Sequence, residues 1–474
     1  MRIKNILLLT IDSDNINSSG IPLEIDTARG NYPPLGLLYL ASELLKVGYT
    51  TKILDLASFK RSQEQLILFI RKFKPQIIGM QLYSTSIRNA INTAQVIKAK
   101  FPSIIIIVGG PHSDAYPKET ISLPCFDIGI LGEGSKRLVN VLRAIKTKTP
   151  FNKIEGIVFK HNGKIHVNKA INKHHDLNKS PFSARQTLED KNYCSIFEDK
   201  FTSIVASRGC YYSCTFCSES TPFRIRTPEN VLEEIEHCIA IDNINHFYFL
   251  DSTFPANDNL WIKRFCDKIM VKKLDISWSV RTRPDFLNNE LLVLMKKAGC
   301  KRLQLGVESA NYGSLAFLNK KLDMNLAEKG ISDAKKNGFI VLSYFIIGFP
   351  EERREDVINT IRYARKLRAD YAHFSLLTPI PNTKLYDYAK RNNLIKSDYW
   401  LNYMLGMTNE QVPTVSRYLT RNELNKLLSY AYRNFYFSPI VIISKCFEII
   451  NHEKPISSFI KSIHGLKSLL RIES

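Results

Sequence analysis

Three cysteines crowd one short stretch, Ser207-Arg-Gly-Cys210-Tyr-Tyr-Ser-Cys214-Thr-Phe-Cys217, spaced four and then three positions apart. Thiolates are soft donors that suit zinc and iron-sulfur clusters. A structural zinc site takes four protein ligands from two knuckles, and no second Cys or His pair lies near this loop. Three cysteines around a four-iron cluster leave one iron without a protein ligand, open to a substrate or cofactor able to chelate it. The chemistry expected of Cys210, Cys214 and Cys217 is therefore that of a cluster with a vacant corner. The other cysteines, Cys125, Cys194, Cys238, Cys266, Cys300 and Cys446, are scattered along the chain. They are expected to be small buried hydrophobes rather than ligands of a second cluster.

The elements around this loop alternate. Upstream, strands are predicted over 3–10, 51–54, 76–82, 104–108 and 128–131, with helices over 34–46, 65–73, 87–100 and 136–145. Alternation of this kind implies a parallel, doubly wound sheet, in which ligands sit beyond the carboxyl ends of the strands. Those ends carry Tyr83-Ser84-Thr85, Gly109-Gly110 and Glu133-Gly134, where glycine lets backbone approach a large ligand closely. Residues 149–198 read as a connector, with a hairpin around Asn162-Gly163. A second alternation follows, with strands over 203–207, 247–250, 276–280, 302–307, 340–347 and 373–377. Helices are expected near 228–241, 260–272, 289–298, 326–337 and 354–367. Six such repeats without a GxGxxG turn fit a partial barrel. The remainder beyond 385 is expected to be a mostly helical accessory region, with a helix over 421–435.

The chain has 474 residues, 44% hydrophobic and 23% charged, which excludes disordered and low-complexity classes. Its net charge of +21 raises anionic partners, but no run of five Lys or Arg occurs, so a nucleic-acid arm is not expected. The apolar start is cut short by Asp12, and no stretch reaches transmembrane length, so the expected location is the cytoplasm. The apolar stretch 437–450 could rest on a membrane surface as a peripheral contact, or pack as an ordinary helix.

The CxxxCxxC loop after a first strand, with Phe216 before its last cysteine, resembles the radical S-adenosylmethionine enzymes. The segments Phe247-Tyr-Phe-Leu-Asp-Ser-Thr-Phe254, Arg281-Thr-Arg-Pro-Asp285, Leu305-Gly-Val-Glu-Ser309 and Phe345-Ile-Ile-Gly-Phe-Pro-Glu351 match the order of that family's later strands. The resemblance implies that a 4Fe-4S cluster on the three cysteines binds S-adenosylmethionine and cleaves it reductively to a 5′-deoxyadenosyl radical. It places Phe216 near the adenine, Glu308 near the ribose or sulfonium, Arg281 and Ser309 as polar contacts, and the Gly348 turn behind the adenine.

Upstream, Tyr32-Pro-Pro-Leu-Gly-Leu-Leu-Tyr-Leu-Ala41, Val108-Gly-Gly-Pro-His112 and Ile130-Leu-Gly-Glu-Gly134 resemble the cobalamin-binding domain fused to one branch of that family. The DxHxxG loop that gives cobalt a histidine in better-known cobalamin proteins does not occur. His112 therefore reads as a loop residue, and the lower axial site is left to water, nothing, or a side chain such as Tyr83. The expected organisation is a Rossmann-like cobalamin-binding domain (1–148), the connector, a radical S-adenosylmethionine barrel (199–385) and the helical region (386–474).

Pairing these cofactors suits methylation of an unactivated carbon in a biosynthetic small molecule, with electrons from a donor such as flavodoxin or ferredoxin. Cyclisation or rearrangement without methylation uses the same architecture. A non-catalytic ligand-binding or regulatory protein is the alternative of another class. A tRNA-modifying methylthiotransferase would carry three further amino-terminal cysteines, and only Cys125 and Cys194 precede Cys210.

Overall fold

The computed structural model describes residues 3–14, 16, 20, 31–170, 175–195, 200–219, 221–255, 258–439 and 441–442. Most of the apolar segment 437–450, with Cys446, lies outside the described residues.

The first sheet holds β1 (Asn5–Thr10), β2 (Thr50–Asp55), β3 (Ile77–Gln81), β4 (Ile105–Gly109), β5 (Ile128–Ile130), β6 (Ile157–His161) and β7 (Lys164–Val167), in the order β2-β1-β3-β4-β5-β6-β7. The first five run parallel, as their continuous Ile, Leu and Val content requires of strands covered on both faces. Helices Leu35–Lys46 and Gly134–Thr147 cover one face through Leu38, Leu44, Val141 and Leu142. Gln63–Phe73 and Ile87–Lys100 cover the other through Ile70, Ala90 and Ala94. The strand order reverses between β1 and β3, and the loop after β3 is the one that carries Tyr83. One expectation is corrected here. The hairpin β6-β7 turns at Asn162-Gly163, both at positive φ, and β6 pairs antiparallel with β5. The sheet thus extends to Val167, and the expected boundary at 148 falls inside it.

Beyond it come β8 (Thr202–Ile204), β9 (Ser207–Arg208), β10 (Arg224–Ile225), β11 (His246–Phe249), β12 (Ser277–Thr282), β13 (Cys300–Glu308), β14 (Ile340–Ile347) and β15 (Tyr371–Leu376). Six of these form an all-parallel sheet, β15-β14-β13-β12-β11-β8, with β9 and β10 as a separate antiparallel pair. Alternate residues such as Phe249, Trp278, Leu305 and Phe345 face the helices. Their neighbours line the concave side, the lumen of an open barrel.

An open barrel leaves the edge of β15 unpaired, a hazard that folds cover explicitly. The carboxyl-terminal helix Arg421–Tyr436 covers it with two tyrosines one turn apart. The Tyr432 hydroxyl accepts from the Phe374 N–H (3.2 Å) and donates to the Phe374 carbonyl (2.8 Å); Tyr436 does the same at Ala372 (3.2 and 2.9 Å). Tyr432→Phe is expected to strand these buried groups and lower stability by about 1–3 kcal/mol, measured by urea unfolding against Tyr436→Phe, the less buried of the two. The accessory region also reaches the first domain. Arg88 donates to the carbonyl oxygens of Tyr403 (2.7 Å) and Thr408 (2.5 Å), and Tyr116 donates to Asp398 (2.6 Å).

Cys125, Cys238, Cys266 and Cys300 are buried as expected, but Cys194 is exposed, because it points outward between Tyr193 and Ser195, which are buried. Among the described residues no helix is long and apolar enough to cross a membrane.

Candidate functional site

The cysteine loop is a closed structure. β9 pairs with β10 through Arg208 opposite Arg224 and Ser207 opposite Ile225, so residues 209–223 form a loop pinched at its base. Gly209 stands at the pinch with φ of 79°, and a Cβ there would lie 2.6 Å from the Pro222 carbonyl oxygen and closer still to that of Thr221. The base is anchored by buried Asp251, which accepts from the Ser207 hydroxyl (2.5 Å) and the Ala206 N–H (3.1 Å). Burial pushes the Asp251 carboxyl up to about 6 against the pull of these bonds.

Within the loop, Thr253 lies 3.7 Å from the Cys210 sulfur, and the Glu219 N–H donates to the Cys217 sulfur (3.4 Å). Burial raises Cys214 first, and Cys210 and Glu308 add to it while Lys320 and Arg283 oppose. Cys217 lies at the loop surface, yet the protein crowding its thiol raises it too, with Cys214 and Cys210 adding. Three thiols that repel one another's negative charge suit a cationic inorganic core, which would draw them all to the thiolate form. Among the described residues no three His, Cys, Asp or Glu side chains form a site for a single metal ion. Three thiols from one loop match a cluster with one open iron rather than the four protein ligands of a structural zinc ion.

The loop is braced from the side of β12 and β13. Arg283 lies over the Tyr212 ring (4.4 Å), pairs with Asp285 (3.0 and 2.6 Å) and donates to the Lys320 and Lys321 carbonyls (2.6 and 2.9 Å). The Thr215 N–H donates to the Leu318 carbonyl (3.0 Å), and Asn319 to the Ser213 hydroxyl (2.8 Å). Phe216 packs against the core that contains Leu318 and Phe349.

Glu308 ends β13 at a register shift with φ of 73°, a strained conformation for a glutamate, and is ion-paired with buried Lys320 at 2.5 Å. Arg281 is exposed and makes no ion pair among the described residues. Ser309 and Gly348 serve the supporting turns. The Ser309 hydroxyl accepts from the Asn311 N–H (3.1 Å) and meets Thr360 (3.3 Å). Gly348, at φ of 88°, donates to Glu352 (2.9 Å), whose carboxyl burial raises to about 7.

On the first sheet, Tyr83 is partly exposed and accepts from the Gln81 amide (2.9 Å). Ser84 contacts the Nδ1 of His112 (2.9 Å), and the Nε2 of that ring meets the Met404 sulfur (3.2 Å). His112 is wholly buried, its pKa lowered to about 4 by that burial, so it is a neutral imidazole with both nitrogens engaged. It lies on the short helix Pro111–Ala115 rather than in a loop, because Pro111 pre-sets the first helical φ after Gly110 at φ of 109°. A Cβ at Gly110 would meet the Leu82 carbonyl oxygen at 2.9 Å, and Gly134 opens its helix against Leu40.

Glu133 turns toward the barrel. It pairs with Arg224 (2.5 Å) and Arg208 (3.5 Å) on the β9-β10 pinch. Burial would raise its carboxyl, but the two guanidiniums outweigh that and lower it. The structure thus gathers the cysteines, Phe216, Glu308 and Arg281 at the carboxyl ends of the second sheet. Tyr83, Ser84, Gly109, Gly110 and Gly134 gather at those of the first, and Glu133 joins the two groups.

Sequence reasoning missed the residues that hold this arrangement. Arg208, Asp251, Thr253 and Arg283 lay inside motifs it quoted, whereas Arg224 and Lys320 gave no signal. Nor did Glu234, fully buried, which accepts from Tyr39 of the first domain (3.0 Å), from the Ser183 hydroxyl of the connector (2.5 Å) and from Arg226 (2.6 Å), with Arg185 at 3.4 Å.

Residues 204–364 match the family model of the Radical SAM superfamily, and residues 23–142 that of the B12 binding domain. An uncharacterized methyltransferase of Pyrococcus horikoshii is 33% identical over 88% of this chain and 90% of its own length. The anaerobic magnesium-protoporphyrin IX monomethyl ester cyclase of Rubrivivax gelatinosus is 30% identical over 75% of this chain and 66% of its own. Among solved structures, the radical S-adenosylmethionine methyltransferase TsrM of Kitasatospora setae, with cobalamin and a 4Fe-4S cluster bound, superposes with a TM-score of 0.67. It is 18% identical, over 83% of this chain and 79% of that one, a likeness of fold.

Proposed function

Because the chain belongs to the Radical SAM superfamily and carries a B12 binding domain ahead of its barrel, we propose that it is a cobalamin-dependent radical S-adenosylmethionine enzyme that methylates an unactivated carbon of a small molecule. The observation that carries this reading is the Glu133 ion pair, which fastens the carboxyl-end loops of the first sheet to the base of the cysteine loop. Two cofactor sites so joined can serve one reaction chamber.

When bound, the cluster and S-adenosylmethionine supply one-electron bond cleavage, and the corrinoid supplies the methyl group. The protein's own residues position and shield. Cys210, Cys214 and Cys217 would hold the cluster; Gly209 and Asp251 fix the loop from which they project. Phe216 offers an apolar face to the adenine. Glu308 would face the ribose or the sulfonium side of S-adenosylmethionine, with Lys320 setting its orientation. Tyr83, Ser84, Gly109, Gly110 and Gly134 would form the cradle for the corrin, His112 being engaged elsewhere. Electrons would come from a flavodoxin- or ferredoxin-type donor in a reducing, cytoplasmic setting, which suits the partly exposed cluster thiols.

Anaerobic reconstitution with iron, sulfide and hydroxocobalamin tests this. The expected result is a cluster and a corrinoid band, with S-adenosylmethionine cleavage on reduction that is lost in Cys214→Ala. An intact cluster with no corrinoid band would remove the methyl-transfer reading. The likeness to the cyclase favours a second reading, ring closure without methylation. Product mass separates the two, since only methylation adds one methylene unit.

A further inference from the structure

On the concave side of the second sheet, the Arg281 guanidinium and the Gln304 amide nitrogen have no acceptor among the described residues. On β12, Trp278 and Val280 face the helical core, so Ser279 and Arg281 face the lumen. On β13, Leu303 and Leu305 face the core, so Arg302 and Gln304 face the lumen. The hydrogen bond from the Arg302 Nε to the Ser279 hydroxyl (3.2 Å) fits that assignment. Arg281 and Gln304 are register partners on adjacent strands. Tyr344, on β14, donates to the Gln304 Oε1 (2.8 Å), which turns the amide so that its nitrogen keeps both N–H donors for the lumen. Gln304 and Tyr344 are half-buried and Arg281 is exposed, as expected of residues lining an opening. The nearby carboxylates are committed elsewhere, Asp285 to Arg283 and Glu308 to Lys320.

A guanidinium fork beside an oriented amide is a receptor for an oxygen anion, because the fork matches a carboxylate or phosphate with two parallel hydrogen bonds. We propose that Arg281 and Gln304 form a lumen subsite that anchors a carboxylate or phosphate group of the substrate. The assignment rests on the barrel being the reaction chamber proposed above. It narrows the substrate class to molecules that carry such a group away from the carbon that reacts, and it makes Tyr344 a positioning residue for the Gln304 amide.

S-Adenosylmethionine carries a carboxylate of its own, so the test separates the two sources. Reconstituted full-length enzyme, saturated with S-adenosylmethionine, is titrated calorimetrically with inorganic phosphate and with acetate. Saturable binding is expected, weakened about tenfold or more in Arg281→Gln, by less in Arg281→Lys, and about threefold in Gln304→Leu. Because the resemblance gives Arg281 to S-adenosylmethionine, affinity for that cofactor is read in parallel from the change it causes in the cluster's paramagnetic resonance spectrum; affinity kept in Arg281→Gln while anion binding falls supports the substrate role. Equal anion binding by wild type and Arg281→Gln, or none by either, would overturn the subsite. Anion binding that vanishes on saturation with S-adenosylmethionine, or a parallel loss of affinity for it in Arg281→Gln, would reassign Arg281 to that carboxylate and overturn the substrate role. Should the wild type not cleave S-adenosylmethionine, the proposed function fails, and the phosphate titration of the folded protein still decides the subsite.

Discussion

Gly209→Ala yields a folded protein that binds no iron. The backbone at 209 lies in the left-handed region, which costs a residue with a Cβ about 1–2 kcal/mol. The added carbon would also fall onto the carbonyl oxygens of Thr221 and Pro222, which are backbone atoms of the opposing arm and cannot swing aside. Relief requires β10 to part from β9, and that pairing sets how far Cys217 stands from Cys210. The parallel sheet does not depend on the pinch, so circular dichroism and the melting profile should stay near those of the wild type. Iron and sulfide content after anaerobic reconstitution should fall to the level of Cys210→Ala. Stoichiometric iron in Gly209→Ala would show that the pinch does not govern the spacing of the thiols.

Glu234→Ala is expected to cost about 3–5 kcal/mol, because it leaves the buried Arg185 and Arg226 guanidiniums facing each other with no countercharge. Burial alone would raise the Glu234 carboxyl, yet the two guanidiniums and the bonds from Ser183 hold it at about 2. A carboxylate depressed on folding stabilises the folded state above its unfolded value and loses that contribution as pH falls toward the folded one. The gap between wild type and variant should therefore be full above about pH 4.5 and close progressively toward pH 2. Because Tyr39, Ser183 and Glu234 come from the first domain, the connector and the barrel, the damage should appear first as loosened docking, seen as faster tryptic cleavage of the connector at neutral pH. Glu234→Gln keeps hydrogen-bonding capacity without the charge, so a variant as stable as the wild type would assign the cluster's value to geometry rather than to charge.

The alternating elements were legible because each is built on local periodicity. The helix 87–100 and the strand 340–347 fall where the pattern puts them, with apolar residues recurring at the helical spacing in one and a largely apolar run with alternating burial in the other. The three cysteines stood out because their spacing sets them in one short loop, which the β9-β10 pair closes at its base. What stayed hidden depends on long-range pairing. Tyr432 and Tyr436 read as ordinary helix residues until the edge of β15 is set beside them, and Glu234 reads as one more acid in a Glu-rich helix until two arginines from elsewhere close on it. The hairpin β6-β7 was read correctly as a hairpin, but its addition to the first sheet follows from β5, a strand of three residues whose pattern says nothing about its neighbour. Among the site residues, Arg281 and Gln304 share a face through register, which no single-strand pattern reveals.

The carboxylate of Glu133 reaches out of one module to grip two arginines of the next, and that reach bears on anyone who would recombine these parts. A chimera that grafts this amino-terminal unit onto a foreign barrel would arrive with an acid and no bases to receive it, while the orphaned barrel would keep two cations beside its metal loop. Swapping must therefore move the trio together, so the natural seam for engineering runs beyond Arg224 rather than through the intervening linker.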